Sequence, residues 1–231
     1  MSRKSHSSEI LERLKGFSTC AIANAIEYLN VRLRNVGFGD SSVRCRFPHF
    51  PPVIGYAVTL RLHGANPPME GGFYVDRTDW WDELAEIPVP HIVVIEDADR
   101  RVGTAAFVGE IHAAILKAMG SVAVITNGAV RDLQQVERLG FQLFSGNVSV
   151  SHAYAHVAKV DTPVRVAGLN ITPGELLHGD QHGIVKVPRD SIEKVLEIAD
   201  RLRNREEKIL RFCQSPEFSR EGLRNLLRKP V

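Results

Sequence analysis

The sequence predicts an α/β fold in which parallel and antiparallel strands are flanked by helices. Residues 91–96 form a continuous apolar run that ends in charge, which is typical of a strand covered on both faces. Two strand–helix units lie between residues 111 and 144, and their short connections require right-handed crossovers and a parallel sheet. After residue 163, short apolar stretches separated by glycines predict β-hairpins.

The first elements of this fold are expected between residues 18 and 86. Residues 18–29 predict a core-facing helix capped by Ser18. Its apolar face consists of Ile22, Ala25, Ile26 and Leu29. Residues 54–62 place apolar side chains at every second position, so we expect a strand with one buried face. Residues 66–74 are rich in Pro and Gly, and residues 76–86 carry Trp80 and Trp81 between acidic residues, which predicts a long loop and then a short helix.

The centre of the chain holds the two consecutive strand–helix units. Apolar residues at helical spacing predict a helix that ends at Gly120. They are Ile111, Ala114, Ile115, Ala118 and Met119. Residues 122–126 are a β-branched strand that we expect to end at Asn127-Gly128. Residues 131–139 then predict a helix, and residues 141–144 predict another strand.

The C-terminal part of the chain is expected to be helical from residue 191 onward. Its buried face would consist of Ile192, Val195, Leu196 and Ala199. The alternating charges on the other face are typical of a solvated surface, and such a helix can also pack on a neighbouring subunit. We therefore divide the chain into an α/β domain at residues 1–190 and a C-terminal helical extension at residues 191–231.

Composition excludes several classes of protein. The 231 residues are 44% hydrophobic and 24% charged, as in an ordinary globular protein. The formal net charge is +2 and basic residues are interleaved with acidic ones, so no nucleic-acid partner is implied. The three cysteines are widely spaced, which fits a reducing compartment. Residues 1–10 lack the apolar segment of a secretory signal. No apolar run in the sequence is long enough to cross a bilayer. We expect a cytoplasmic protein with no membrane partner.

Candidate site residues occur where predicted strands give way to helices, which is where ligands of open α/β sheets bind. Asp132, in the expected first helical turn, would be ionised and able to hold a divalent cation, and Arg131 could pair with a substrate carboxylate. The second candidate at such an edge is residues 109–112, where a loop enters the helix that ends at Gly120 and free backbone N–H groups would form an anion site. Glu110 adds a carboxylate that can move a proton. An Arg-Asp pair and an acidic first turn also suit an ordinary protein surface.

The central residues resemble the RraA-like family. The resemblance consists of a Gly-Glu helix start, a strand, and a Gly-x-x-Arg-Asp turn. The residues that carry it are Gly109, Glu110, Ile111, Ala113, Ala114, Gly120, Val124, Gly128, Arg131 and Asp132. It extends over about residues 18–188. The family includes class II, metal-dependent aldolases that cleave 4-hydroxy-4-methyl-2-oxoglutarate and 4-carboxy-4-hydroxy-2-oxoadipate, and the ribonuclease E regulator RraA.

The resemblance implies a swivelling β/β/α fold, assembly into homotrimers or homohexamers, and a small 2-oxo acid as substrate. It makes Asp132 the ligand of Mg²⁺ or Mn²⁺ and Arg131 the partner of the 2-oxo acid. The amides of Gly109, Glu110, Ile111 and His112 would hold the substrate carboxylate. Cleavage or decarboxylation would pass through a pyruvate enolate, with Glu110 acting through a water as the base.

Other readings of the sequence remain open. Asn24, Asn127 and His182 stand where many relatives carry Asp, so a sugar-acid dehydratase or isomerase that uses the same metal site is one alternative. A non-catalytic regulator that binds a protein partner is another. The histidine pairs 152/156 and 178/182 have the spacing of zinc ligands but lie in no helical pattern, with the second pair in a predicted turn, so we interpret them as structural or solvent-exposed. The two tryptophans suit either a lid over the substrate or a subunit contact.

Overall fold

The computed structural model describes residues 5–69, 78 and 80–228, and it contains alternating helices and strands around a central sheet. The helices are α1 (Ser8–Lys15), α2 (Thr19–Leu29), α3 (Trp80–Ala85), α4 (Glu110–Ala118), α5 (Leu133–Arg138), α6 (Ile192–Cys213) and α7 (Arg220–Leu227). The strands are β1 (Arg44–Cys45), β2 (Val53–His63), β3 (His91–Asp97), β4 (Ala106–Val108), β5 (Ser121–Val130), β6 (Gln142–Val148), β7 (His156–Val160), β8 (Val164–Val166), β9 (Leu169–Ile171), β10 (Leu176–Asp180) and β11 (Gly183–Val187).

The central sheet is mixed, which confirms the predicted fold class. Its order is β1-β6-β5-β3-β2-β10-β11, with β4 beside β5 and β7 beside β2. The inner strands β2, β3, β5 and β6 are parallel, and β4 pairs parallel with β5. The outer strands β1, β7, β10 and β11 pair antiparallel with their neighbours. The strands β8 and β9 form the separate hairpin that the glycine spacing predicts.

The sheet is buried on both faces, and this corrects the prediction for β2. Helices cover one face, where Tyr56 and Val58 join the main core. The other face packs against the β8–β9 hairpin, and Ala57 and Thr59 are fully buried there as well. From Ile54 to Leu60, the alternation along β2 therefore separates larger apolar side chains from smaller ones, and it does not separate buried residues from exposed ones.

The ends of two elements differ from the sequence prediction. β5 does not end at Asn127-Gly128, because a register shift between Thr126 and Ala129 lets it continue to Val130. Asn127 lies at this irregularity, where its side-chain amide exchanges two hydrogen bonds with the backbone of Asp97. The following helix begins two residues later than expected, at Leu133.

The long C-terminal helix α6 is buried along its first half only. Its predicted apolar face packs into the main core, and α6 lies against α2. Beyond Leu202 the helix is mostly exposed, and α7 buries none of its residues. A division of the chain at residue 190 stays a prediction. Within the described part of the chain, no helix is long and apolar enough to cross a membrane.

Candidate functional site

A cleft of about 210 Å³ opens where β4 and β5 end and α4 and α5 begin. The cleft brings together every site residue that the sequence predicts. Its lining consists of Trp80, Trp81, Gly109, Glu110, Ile111, His112, Ile115, Arg131, Asp132 and His152. The two strand ends are adjacent because β4 and β5 pair in parallel, and the backbone N–H of Arg131 donates to the carbonyl oxygen of Val108 at 2.9 Å.

Asp132 occupies a left-handed backbone conformation, with φ 54° and ψ 40°. The expectation that it lies in the first turn of a helix is wrong, because the longer β5 moves the start of α5 to Leu133 and makes Asp132 the residue that caps it. Its side chain makes no capping hydrogen bond to α5. Instead, Oδ2 accepts a hydrogen bond from the backbone N–H of Glu110 at 3.2 Å, so the carboxylate faces the start of α4.

Gly109 permits this close approach between the two helix starts. A Cβ atom at position 109 would lie 2.4 Å from Oδ2 of Asp132 and 2.9 Å from Cγ of Arg131. Real Cβ atoms do not tolerate such distances, so any larger residue would displace the carboxylate. The glycine that begins the family pattern therefore has a steric role.

Arg131 lies between Asp132 and a histidine that the sequence analysis did not assign to the site. Its Nε donates to Oδ1 of Asp132 at 3.3 Å, and its Nη1 lies 3.1 Å from Nε2 and 3.3 Å from Nδ1 of His152. Burial, and then the charge of Arg131, lower the pKa of His152, so a neutral imidazole accepts from the guanidinium. A guanidinium carries five N–H donors, which leaves others for a ligand carboxylate.

The first turn of α4 forms the opposite wall. The amide of Glu110 is already bound to Asp132, so it is not available to an anion, and the next amide of the predicted anion site is that of Ile111. The ring of His112 packs 4.6 Å from the ring of Phe107. Burial, and then the nearby His152, lower the pKa of His112 to about 4, so it is neutral at pH 7. The side chain of Ile111 is 69% exposed and points away from the core.

The residues of the cleft fit a divalent cation that is held by few protein ligands, and they do not form a closed coordination cage. Among the described residues, no group of three or more His, Cys, Asp or Glu side chains is arranged to hold a metal ion. Asp132 would be the chain's own ligand at this site, with 30% of its side chain exposed. Mg²⁺ is commonly held in this way, by one or two carboxylates while water and substrate supply the remaining oxygens.

His152 reaches the cleft through long-range backbone contacts. The segment before it is tied to the end of β5 and to the start of β4, since the N–H of Ser149 donates to the carbonyl oxygen of Val130 at 3.1 Å and the N–H of Ala106 donates to that of Ser151 at 3.0 Å. No local sequence signal marks this placement. His156, His178 and His182 do not line the cleft.

His178 has a structural role, as expected, but it lies in β10 and not in a turn. It is fully buried, with Nδ1 2.9 Å from Oγ1 of Thr19 and Nε2 3.2 Å from the carbonyl oxygen of Leu14. His182 follows β10 and pairs with Asp180 at 3.2 Å.

Comparisons with known proteins identify a family and agree with the fold. The family model described as "RraA-like: Aldolase/RraA" matches residues 19–186. A protein of Halalkalibacterium halodurans named "Putative 4-hydroxy-4-methyl-2-oxoglutarate aldolase" is 28% identical over 97 residues, which are 42% of this chain and 46% of that protein. Protein DlpA of Legionella pneumophila is 24% identical over 90 residues, which are 38% of this chain and 15% of DlpA. The matched stretches thus span less than half of these relatives.

Solved structures share the fold over nearly the whole chain. The RraAS2 protein of Streptomyces coelicolor, described as an unusual member of the RNase ES inhibitor RraA protein family, has a TM-score of 0.69 at 21% identity, covering 88% of this chain and 96% of that one. A structure described as one of novel cellulases from gut-associated microbes has a TM-score of 0.75 at 22% identity, covering 90% and 91%. At such identities the likeness concerns the fold alone. Because the family model covers most of the sequence, the chain belongs to the RraA-like (Aldolase/RraA) family.

Proposed function

We propose that this protein is a divalent-metal-dependent lyase that cleaves or decarboxylates a small 2-oxo acid. One observation carries the proposal, namely that a guanidinium, a carboxylate and the start of a helix converge on one cleft of about 210 Å³. Pockets for drug-sized ligands are commonly about 300–1,000 Å³, so this cleft suits a small acid. The aldolase name of the Halalkalibacterium relative supports the same class of reaction.

Substrate binding is assigned to Arg131 and to the first turn of α4. The N–H groups of Arg131 that are not used by Asp132 and His152 would pair with the substrate carboxylate. The amide of Ile111 would add a donor beside it. Because both histidines of the cleft have lowered pKa values, Arg131 would supply the positive charge that recognises the acid.

Catalysis would combine a cation at Asp132 with proton transfer by a neighbouring side chain. Mg²⁺ or Mn²⁺ held by Asp132 would supply Lewis acidity toward the keto and carboxylate oxygens of the 2-oxo acid. Glu110 is the proposed base, acting through a water on the substrate hydroxyl. Trp80 and Trp81 would limit access of water.

The test is a screen of 2-oxo acids with Mg²⁺ or Mn²⁺ in which pyruvate is measured by a coupled assay. For a substrate found in this way, Asp132→Ala should lower metal-dependent pyruvate release by about 100-fold or more, since even loss of a residue that only supports a ligand costs 10–100-fold. Asp190→Ala, at an exposed carboxylate before α6, is the matched control and should retain activity. Pyruvate release that persists in chelator, or that survives Asp132→Ala, contradicts the mechanism.

A second candidate is a regulator that binds another protein. Apolar surface beside the cleft favours it, because Ile111 is 69% exposed and Val150, two residues before His152, is 94% exposed. Assembly into a homotrimer or homohexamer would cover the same surface, and we propose that assembly for the enzyme. A stable protein partner that is insensitive to Asp132→Ala, together with no turnover of any 2-oxo acid, would favour the regulator. Turnover of a sugar acid without pyruvate release would favour a dehydratase or isomerase.

A further inference from the structure

A second and larger cavity lies at the opposite edge of the sheet from the cleft. It has a volume of about 590 Å³ and borders the amino ends of the parallel strands, where Val53, Pro90, Ser121 and Gln142 line it. None of the residues that line the cleft also lines this cavity. The two sites can therefore be occupied and altered independently.

The walls of this cavity are mostly apolar. Leu11 of α1 and Phe50 form one side, and Ile54 and Phe141 contribute from β2 and from the residue before β6. The volume falls within the range of pockets that hold small organic ligands, which are mainly lined by hydrophobic and aromatic groups with a few polar ones. An apolar body complements such walls.

Two lysines give the cavity a positive rim. Lys117, in the last turn of α4, uses one of its three N–H donors on the carbonyl oxygen of Leu139. Lys15 of α1 lies 3.6 Å from the exposed carboxylate of Glu12. The rim thus carries two ammonium groups against one carboxylate, and a ligand with a single negative charge complements it.

We propose that this cavity binds a small amphipathic carboxylate, with the acid group at Lys117 and an apolar tail between α1 and β2. The binding site is separate from the cleft and does not depend on the reaction proposed there. Charge complementarity at the rim selects the acid over a neutral molecule of the same length, while the apolar walls select it over short acids such as pyruvate.

The test is calorimetric titration of the full-length protein with decanoate below its micelle-forming concentration, beside 1-decanol and acetate. We expect one decanoate per chain, with decanol about tenfold weaker and acetate undetectable. Lys117→Met should weaken decanoate by about tenfold, because it removes a charged partner and keeps side-chain length. Lys208→Met, at an exposed lysine on α6, is the matched control and should retain wild-type affinity.

Thermal unfolding of Lys117→Met without ligand gives a second measurement that separates ligand binding from folding. Its unfolding midpoint should stay near that of the wild type, because the substitution is at an exposed side chain. Asp132→Ala should keep decanoate affinity, because it lies at the other edge of the sheet. The proposal is overturned if decanoate does not bind, if decanol binds as tightly as decanoate, or if Lys117→Met folds normally and keeps the affinity intact.

Discussion

Acidification should destabilise this protein well before its carboxylates are protonated, because His178 and His112 are held neutral in the fold. Burial is the main cause, and it lowers the pKa of each from 6.5 to about 4. In the unfolded chain both histidines take up protons as the pH falls through 6.5, whereas the folded chain excludes those protons until about pH 4. Stability is therefore complete above pH 6.5 and is lost progressively between pH 6.5 and pH 4.

The size of this effect follows from the difference in proton uptake. One pKa unit corresponds to about 1.36 kcal/mol. At pH 5, which is about 1.5 units below the pKa of the unfolded chain, each histidine therefore lowers the free energy of unfolding by about 2 kcal/mol. The two together remove about 4 kcal/mol between pH 7 and pH 5, out of a total stability that is commonly about 5–15 kcal/mol. Burial raises the pKa of Asp97, so its protonation on acidification stabilises the folded state and offsets part of the stability lost through the histidines.

His178→Gln isolates one of the two contributions. The variant keeps a hydrogen-bond donor toward Leu14 and removes the titrating ring. Between pH 7 and pH 5, its free energy of unfolding should therefore fall by about 2 kcal/mol less than that of the wild type. Urea unfolding at the two pH values, at one protein concentration and followed by tryptophan fluorescence, measures this difference, since Trp80 is buried. The substitution leaves Asp97 unchanged, so the contribution of Asp97 cancels when the losses of the variant and the wild type are compared. Equal losses in variant and wild type would refute the reasoning.

Two further predictions concern the cleft. Gly109→Ala should displace the Asp132 carboxylate, lower metal-dependent turnover by about 100-fold and cost about 1–3 kcal/mol of stability. Ala114→Ser, on the exposed side of the same helix, is the control and should keep activity. Normal turnover in Gly109→Ala would contradict the steric argument. His152→Gln should raise KM for the 2-oxo acid by about tenfold with kcat within a few-fold, because the guanidinium loses its imidazole partner. A fall in kcat at constant KM would instead assign His152 to the chemistry.

The sequence was most informative where one periodic pattern dominated a segment. The apolar run of β3 and the buried face of α2 were predicted because burial there follows the simple periods of strand and helix. In α4 the stripe marked the helix but not its buried side, which is formed by Ala113 and Leu116 while Ile111 faces outward. Both faces of α4 are apolar, so periodicity alone does not distinguish the core side.

The remaining differences depend on contacts between distant segments. The end of β5 was misplaced because Asn127-Gly128 has the composition of a turn, whereas pairing with β4 and β6 holds the strand together as far as Val130. The second buried face of β2 depends on a hairpin about 100 residues later. His152 likewise enters the cleft through backbone pairing that no local pattern records. Arg131, Asp132 and residues 109–112 meet because they follow the adjacent parallel strands β4 and β5, and of these two strands the sequence predicted only β5.

The left-handed backbone of Asp132 has a consequence for protein engineering. A side chain at φ 54° costs about 1–2 kcal/mol that glycine avoids, although aspartate tolerates this region better than most residues. Selection for thermostability alone should therefore enrich Asp132→Gly, and libraries screened only by heat challenge would discard the carboxylate that the proposed chemistry requires.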